Sequence, residues 1–204
     1  MTALTGRRIA LRSLVPTDFG AWQDVRRRNN DWLTPWEPAR NPNVPDVVES
    51  GEAFAMRCSA RERERQLGTG FGFGIFVPDG PDARRPERFC GEINLSSVQR
   101  GPFQSAYVGY WIDQAQAGHG YMPEAVVLLA QFAFEQVHLH RIQISIIPRN
   151  HRSRRVVEKL KLRDEGIAQR YLEINGAWED HIRYAFTVEE WHDRRDELTR
   201  EWLT

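Results

Sequence analysis

Ala115-Gln116-Ala117-Gly118-His119-Gly120-Tyr121-Met122-Pro123-Glu124-Ala125 lies between the two most clearly patterned stretches of the chain, and its reading decides the fold. Before it, Ala106 to Asp113 carries Tyr107, Val108, Tyr110, Trp111 and Ile112, side chains of high β-propensity, and predicts a strand. After it, Val126, Leu129, Phe132, Ala133 and Val137 recur at helical spacing from Pro123 to Val137, and Pro123 suits a first helical turn. Two glycines in the connection let backbone N–H groups converge without side-chain obstruction. The helix N-terminus adds unsatisfied donors and the positive end of its dipole. Together these make a pyrophosphate cradle. The lysine of a nucleotide triphosphatase loop is missing, as is the third spaced glycine of a dinucleotide-binding loop. Coenzyme A is the remaining common pyrophosphate ligand, although a Gly-x-Gly pair alone favours an ordinary strand-to-helix turn.

Upstream of this segment, alternation over Ile9 to Leu14 predicts a strand, and Pro16-Thr17-Asp18 turns the chain into a helix over Phe19 to Arg28. Trp32 to Pro38 is too proline-rich for a regular element and reads as a shaped loop. A helix is expected over Val47 to Gln66, its run Arg61-Glu62-Arg63-Glu64-Arg65 being a solvated surface. Phe71 to Val77 and Arg88 to Val98 read as neighbouring strands, joined by a mobile stretch from Pro78 to Glu87. Downstream, Ile142, Ile144 and Ile146 alternate with Gln143 and Ser145 in a strand ending at Pro148. Asn150 then caps a helix that buries Val156, Val157 and Leu160. Tyr171 to Glu173, the Asn175-Gly176 turn and Trp178 to Thr187 form a hairpin, and Val188 to Leu203 is an amphipathic tail helix.

At 204 residues the chain fits one domain, residues 1–204, with 188–204 as a helical extension. Lysine plus arginine and aspartate plus glutamate number 28 each, so no global field would hold the protein on nucleic acid or an anionic membrane. The opening MTALTGRRIALRSL is too short and too interrupted by arginine for a signal peptide, and no window approaches a membrane span, which predicts a cytoplasmic protein. Cys58 and Cys90 make no metal-ligand spacing and read as free thiols, and His138 and His140 lack a third ligand, so no metal is expected.

The loop with its flanks, YVGYWIDQAQAGHGYMPEA, resembles the acetyl-CoA-binding motif of GNAT acetyltransferases, with Ala115 where the motif carries Gln or Arg. IIPRNHRSRRVVEKL resembles the segment that follows it in that family. There an Asn at a helix start touches the cofactor arm and a Ser one turn later approaches the thioester sulfur, which are Asn150 and Ser153 here. The family continues Leu-Gly-Phe, whereas this chain has Leu160-Lys161-Leu162. LTPWEP, SAYVGYWI, HLHRIQ and INGAWEDHIRYA extend the resemblance over nearly the whole chain and narrow it to the RimJ type. The resemblance implies an α+β fold, a three-layer α/β arrangement with a mixed, mostly antiparallel central sheet. Two central strands splay there, admitting the pantetheine arm from one side and the acceptor amine from the other.

It further implies acetyl transfer from acetyl-CoA to a protein N-terminal α-amine, that of a ribosomal protein, by direct attack through a tetrahedral intermediate. An α-amine has an unperturbed pKa of roughly 8 and needs only modest help to lose its proton. Main-chain N–H groups around Trp111 and Ile112 would hold the oxyanion, and Gln116, Ala117, Gly118, His119, Gly120, Tyr121, Met122 and Asn150 the cofactor. Ser153, with Tyr121 as the alternative, would serve the departing thiolate. Trp36 and Glu37 would overhang the acceptor, with Asn94 and Tyr107 facing the same cleft. The base is open between Glu37, Glu92 and a water chain, because the hairpin glutamate of RimL-like relatives corresponds to Leu172. His181 reads first as a cross-strand packing partner. Arg152, Arg154 and Arg155 either pair with the 3′-phosphate of coenzyme A or face solvent. Acetylation of a small amine, and a non-catalytic coenzyme A-binding or ribosome-assembly module, are the competing functions. Either a monomer or a homodimer is compatible with the apolar face of the tail helix, Trp191, Leu198 and Trp202.

Overall fold

The computed structural model describes residues 3–78 and 87–204. The expected mobile connection between Pro78 and Glu87 therefore lies outside the described residues. Among the described residues, eight strands form one sheet in the order β1-β2-β3-β4-β5-β6-β8-β7. They are β1 Leu4–Thr5, β2 Ala10–Arg12, β3 Phe71–Pro78, β4 Glu87–Gln99, β5 Ser105–Ile112, β6 Arg141–Ile146, β7 Arg163–Ile174 and β8 Ala177–Thr187. Every neighbouring pair is antiparallel except β5 with β6. The sheet is mixed and mostly antiparallel, as the resemblance implied.

Helices cover both faces. α1 Phe19–Arg28, the short α2 Asn30–Leu33 and α3 Gly51–Leu67 lie on one side, where Trp22, Val25, Phe54, Phe76 and Phe89 form a compact, mostly aromatic cluster. α4 Tyr121–Gln131, α5 His151–Lys159 and α6 Val188–Trp202 lie on the other. Residues Met122 to Ala130 of α4 are all buried, as expected for a helix apolar all round and sandwiched between the sheet and α5 and α6. α4 ends in a π turn, Phe132–Gln136, which places Phe132 edge-on to Phe71 and Phe73. α6 begins with the Thr187–Glu190 capping box and packs Trp191 and Leu198 into the main core, so its apolar face is spent on its own chain.

Besides the added strand β1, three elements differ from the sequence expectation. The second long helix begins at Gly51, four residues later than expected, because Ser50 caps it through its Oγ and Val47–Val48 sit in a turn held by Asp46. The proline-rich loop contains a helical turn, α2, followed by a 3₁₀ turn at Thr34–Trp36. β7 is much longer than Tyr171–Glu173. It starts at Arg163 and carries irregularities at Gly166 and Arg170, both at positive φ, which erase the alternation a reader would look for. It is also the sheet's edge, where charged side chains are expected and an apolar pattern is not.

The Leu160-Lys161-Leu162 departure lies in the turn that ends α5. Lys161 takes up the left-handed conformation, φ 48°, while the N–H groups of Lys161 and Leu162 close onto the carbonyls of Glu158 and Val157. A side chain in that conformation costs about 1 kcal/mol that glycine would not. Lys161→Gly is therefore expected to stabilise the protein by about 1 kcal/mol, read as a raised midpoint in denaturant unfolding.

A second latch fixes the chain leaving β5. Asp113 is buried and accepts from Asn29 Nδ2 (2.8 Å), from the Ala115 N–H (3.2 Å) and from Arg28, while Asn29 Oδ1 accepts from the Gln114 N–H (2.8 Å). Burial would push this carboxyl up, but the bonds from Arg28, Asn29 and Ala115 outweigh it and hold it below the usual carboxylate range. A depressed carboxyl contributes stability that is complete above its unfolded value of about 3.9 and is lost as pH falls through the folded value. Asp113→Asn should lower stability by about 1–2 kcal/mol at neutral pH and flatten the dependence below about pH 4, measured by urea unfolding across pH.

Candidate active site

β5 and β6 pair only at Ser105–Arg141, Ala106–Ile142 and Tyr107–Gln143. Beyond that point β5 stays zipped to β4 as far as Ile112, and β6 stays zipped to β8 as far as Ile146, so the two diverge. A cavity of about 1390 Å³ opens in the gap. The Asp113 N–H donates to Cys90 O (2.7 Å), and alternation along the regular antiparallel ladder then fixes the direction of the amides from Tyr107 to Ile112. The N–H groups of Tyr110 and Ile112 face the gap, while that of Trp111 faces β4. The cleft donors therefore include Tyr110, whose amide the sequence reading passed over, and exclude the Trp111 amide. Trp111 contributes its ring, set edge-on to Phe89 (5.7 Å) with the Arg26 guanidinium 5.1 Å from its centroid.

At the open end lies the glycine loop. Gly118 and Gly120 both have positive φ (87° and 82°), and a side chain at Gly118 would meet nothing within 4 Å, so the loop presents bare backbone to open space. Gln116, Ala117, Gly118, Gly120, Tyr121 and Met122 line the cavity. His119 does not: its ring stacks on Tyr121 (5.7 Å, 17°) outside the lining. The loop owes its shape to Arg8, more than a hundred positions earlier. Arg8 donates to the carbonyls of His119 (2.8 Å) and Gly120 (3.2 Å), and through Nε to Glu124 (2.8 Å). Glu124 is wholly buried and also accepts from the Arg8 and Ile9 N–H groups. With the loop carbonyls tied outward by Arg8, its N–H groups are left for a ligand.

Asn150 caps α5 by accepting from the Ser153 N–H (3.1 Å), and both residues line the cavity. Ser153 Oγ donates to the Tyr110 hydroxyl (3.0 Å), which in turn donates to Ser153 O (3.1 Å). The pair bridges β5 and α5 across the gap. Burial raises the Tyr110 phenol far above its ordinary value, with only partial opposition from the Ser153 bond, so it remains a neutral hydroxyl. This partner was invisible in the sequence, where Tyr110 is one of several aromatic residues on a strand. Arg152 and Arg155 line the cavity together with Lys159, and Arg152 lies over Trp32 (4.1 Å). Arg154 instead turns to Pro148 O (3.2 Å) and Glu158 (3.3 Å).

On the opposite mouth, Trp36, Glu37, Asn94 and Tyr107 all line the cavity. Their local bonds narrow what each can do. Both Glu37 oxygens are taken by Arg26 (2.6 and 2.7 Å), and its backbone carbonyl accepts from Asn175 N–H (2.8 Å). Glu92 is held by Trp22 Nε1 (2.7 Å) and by Arg57. Asn94 Oδ1 accepts from the Gly109 N–H (3.0 Å), and Trp36 lies under Arg149 (5.6 Å). Tyr171 from β7 reaches Tyr107 and is raised above the usual phenol range by burial first and by that neighbour second. His138 sits at positive φ in the turn after α4, and His140 pairs with Glu189 (3.0 Å) at the surface, both away from the cavity. Among the described residues, no three His, Cys, Asp or Glu side chains gather so as to hold a metal ion, and no helix is long and apolar enough to cross a membrane.

Comparison with known proteins agrees with this geometry. Residues 8–163 match the family described as acetyltransferase (GNAT) domain. The chain is 33% identical over 188 residues to the [ribosomal protein uS5]-alanine N-acetyltransferase of Escherichia coli, covering 92% of each. It is 34% identical over 178 residues to a probable N-acetyltransferase, YjcK, of Bacillus subtilis, covering 87% of this chain and 93% of that one. Among solved structures, Mycobacterium smegmatis RimJ in complex with CoA-disulfide superposes with a TM-score of 0.82 at 30% identity, covering 98% of this chain and 90% of that one. A sheet that splits between β5 and β6, a glycine loop at the mouth of the split and a match over three quarters of its length make this chain a member of the GNAT acetyltransferase family, of the RimJ type.

Proposed function

We propose that the protein transfers the acetyl group of acetyl-CoA to the N-terminal α-amine of a protein, the acceptor being a ribosomal protein. The split between β5 and β6 carries this reading, because it supplies an unzipped backbone edge, a bare glycine loop at one end and a separate polar mouth at the other. The residues present fit coenzyme A. The loop leaves bare backbone at Gly118, and Arg152, Arg155 and Lys159 line the cavity with no carboxylate partner among the described residues, which suits a phosphorylated ligand. Bound acetyl-CoA would supply the thioester, held by the backbone of Gln116 to Met122 and by Asn150.

The rest of the chemistry belongs to the chain. Cleft-facing N–H groups of Tyr110 and Ile112 are preorganised donors for the oxyanion that grows as the amine attacks. Ser153, oriented by Tyr110, is the hydroxyl placed for the departing sulfur. Because its proton points at Tyr110, it meets a thiolate only after the O–H turns about the Cβ–Oγ bond, and the bond to Tyr110 re-forms afterwards. Trp36 and Tyr107 shape the acceptor mouth. The acceptor itself is read from the relative of E. coli, which acts on an alanine of uS5 by its name.

The test is thiol release from acetyl-CoA with peptides bearing free N-termini, peptides with blocked N-termini and a free lysine, and small amines. Turnover confined to free N-termini, led by an alanine peptide, is expected, with kcat reduced about 100-fold in Ser153→Ala. Turnover on small amines alone would replace the acceptor, and tight coenzyme A binding without turnover would make the protein a binding module. Arg8→Ala should raise the KM for acetyl-CoA about tenfold through loss of the loop's shape. It should also destabilise the fold by about 3 kcal/mol, because Glu124 stays buried without its partner. Calorimetric titration with coenzyme A and thermal unfolding read the two effects separately.

A further inference from the structure

We infer that His181 is the general base that takes the proton from the attacking amine, an assignment that rests on the acetyltransferase reading above. His181 is 3% exposed, yet it lines the cavity. Its Nδ1 lies 3.0 Å from the backbone carbonyl of Glu179. A carbonyl can only accept, so the proton sits on Nδ1 and the neutral ring keeps its lone pair on Nε2. No side chain or backbone group among the described residues bonds to Nε2. A buried imidazole with its tautomer fixed from behind and its basic nitrogen free is the arrangement a general base requires.

Position supports the assignment. Ile182 and Tyr184 of β8 point into the main core with Ile142, Ile144 and Ile146 of β6. Alternation turns His181 to the other face, with Gln143, Ser145 and Tyr107, which is the acceptor side of the split. Register sets Ile182 against Ile146, the last residue of β6, so His181 stands one residue beyond the end of the β6–β8 pairing. Its partner on β7 is Ala168, too small to cover it, and Tyr171 braces the ring edge-on at 5.9 Å. The other candidates are engaged: Glu37 by Arg26, Glu92 by Trp22 and Arg57. Leu172 on the same hairpin brings no base.

The charged and titratable groups around the ring are few. Glu179 and Asp180 precede it on β8, the first paired with Arg149 (2.7 Å) and the second accepting from Arg170 N–H (2.8 Å). Arg183 follows it, and Tyr171 faces it from β7 with Tyr107 of β5 behind. In the step itself, the amine nitrogen bonds to the acyl carbon and the C–S bond breaks. The amine proton passes to Nε2, directly or through one water, and from there to solvent, while the thiolate takes up a proton from the cleft.

His181→Asn separates this role from packing, because its side-chain amide can still donate to Glu179 O but has nothing at the Nε2 position. Thiol release at saturating acetyl-CoA and acceptor is followed across pH in wild type, His181→Asn and His181→Ala, with and without added imidazole, alongside melting temperatures. The expected result is a kcat lowered about 100-fold in both variants and loss of the imidazole limb of the kcat profile, with the KM for acetyl-CoA unchanged. Partial recovery of His181→Ala by imidazole completes it. Folded His181→Asn with wild-type kcat and profile would overturn the proposal, as would a lowered kcat whose pH profile is unchanged and which imidazole does not restore. Absence of wild-type turnover on every amine would instead remove the acetyltransferase reading and this base with it.

Discussion

The hydrogen bonds that β5 and β6 do not make govern the rest of this molecule. After three paired positions the strands part, and several backbone donors and acceptors on each are left without a sheet partner. Buried amides rarely stay orphaned, so an unzipped sheet survives only where water or an extended ligand can complete it. Neighbouring features maintain that condition. β4 and β8 hold the outer edges of the split strands, α4 and α5 close one face, and the Ser153–Tyr110 pair spans the opening where the strands themselves cannot. The gap is thus a built feature, braced on every side except the one a ligand uses.

The Arg8–Glu124 pair does for the loop what β4 and β8 do for the gap. Glu124 sits in the first turn of a helix that is otherwise apolar, in contact with the N-terminal turn so closely that a methyl at Gly6 would lie 2.6 Å from its Oε1. A buried carboxylate in that place stabilises little by itself, since its desolvation offsets most of the Coulomb gain. Its value is geometric. By gathering Arg8 and two backbone amides, it holds the guanidinium under the loop, and the guanidinium draws the loop carbonyls away from the ligand side.

Much of this was legible from local sequence. α1 lies where its flanking turn placed it, Asn150 is the cap it was read to be, and Asn175-Gly176 adopts the paired positive φ values, 47° and 81°, of a two-residue hairpin. The glycine loop was legible because its chemistry resides in adjacent residues. What stayed hidden depends on distance in the chain. Arg8 meets Glu124 across 116 positions and Tyr110 meets Ser153 across 43, and neither periodicity nor spacing encodes such a pairing. The direction of the β5 amides was hidden as well, because it follows from register with β4 and not from composition. β7 was cut short because an edge strand with two irregularities shows neither alternation nor an apolar run.

One contact at the acceptor mouth has a mechanical consequence. The Asn175 N–H bonds to Glu37 O, and Arg149, paired with Glu179 of β8, lies over Trp36, so the β7–β8 hairpin is tied back to the loop on the far half of the sheet. Two halves joined at the apex by strand pairing and again at the rim by this tie form a hoop, not a pair of jaws. A polypeptide can pass into a hoop by its free end far more easily than a continuous chain can be laid across it. With the proposed protein N-terminus as acceptor, such a rim would sort acceptors by topology before any side chain in the cleft tested their chemistry.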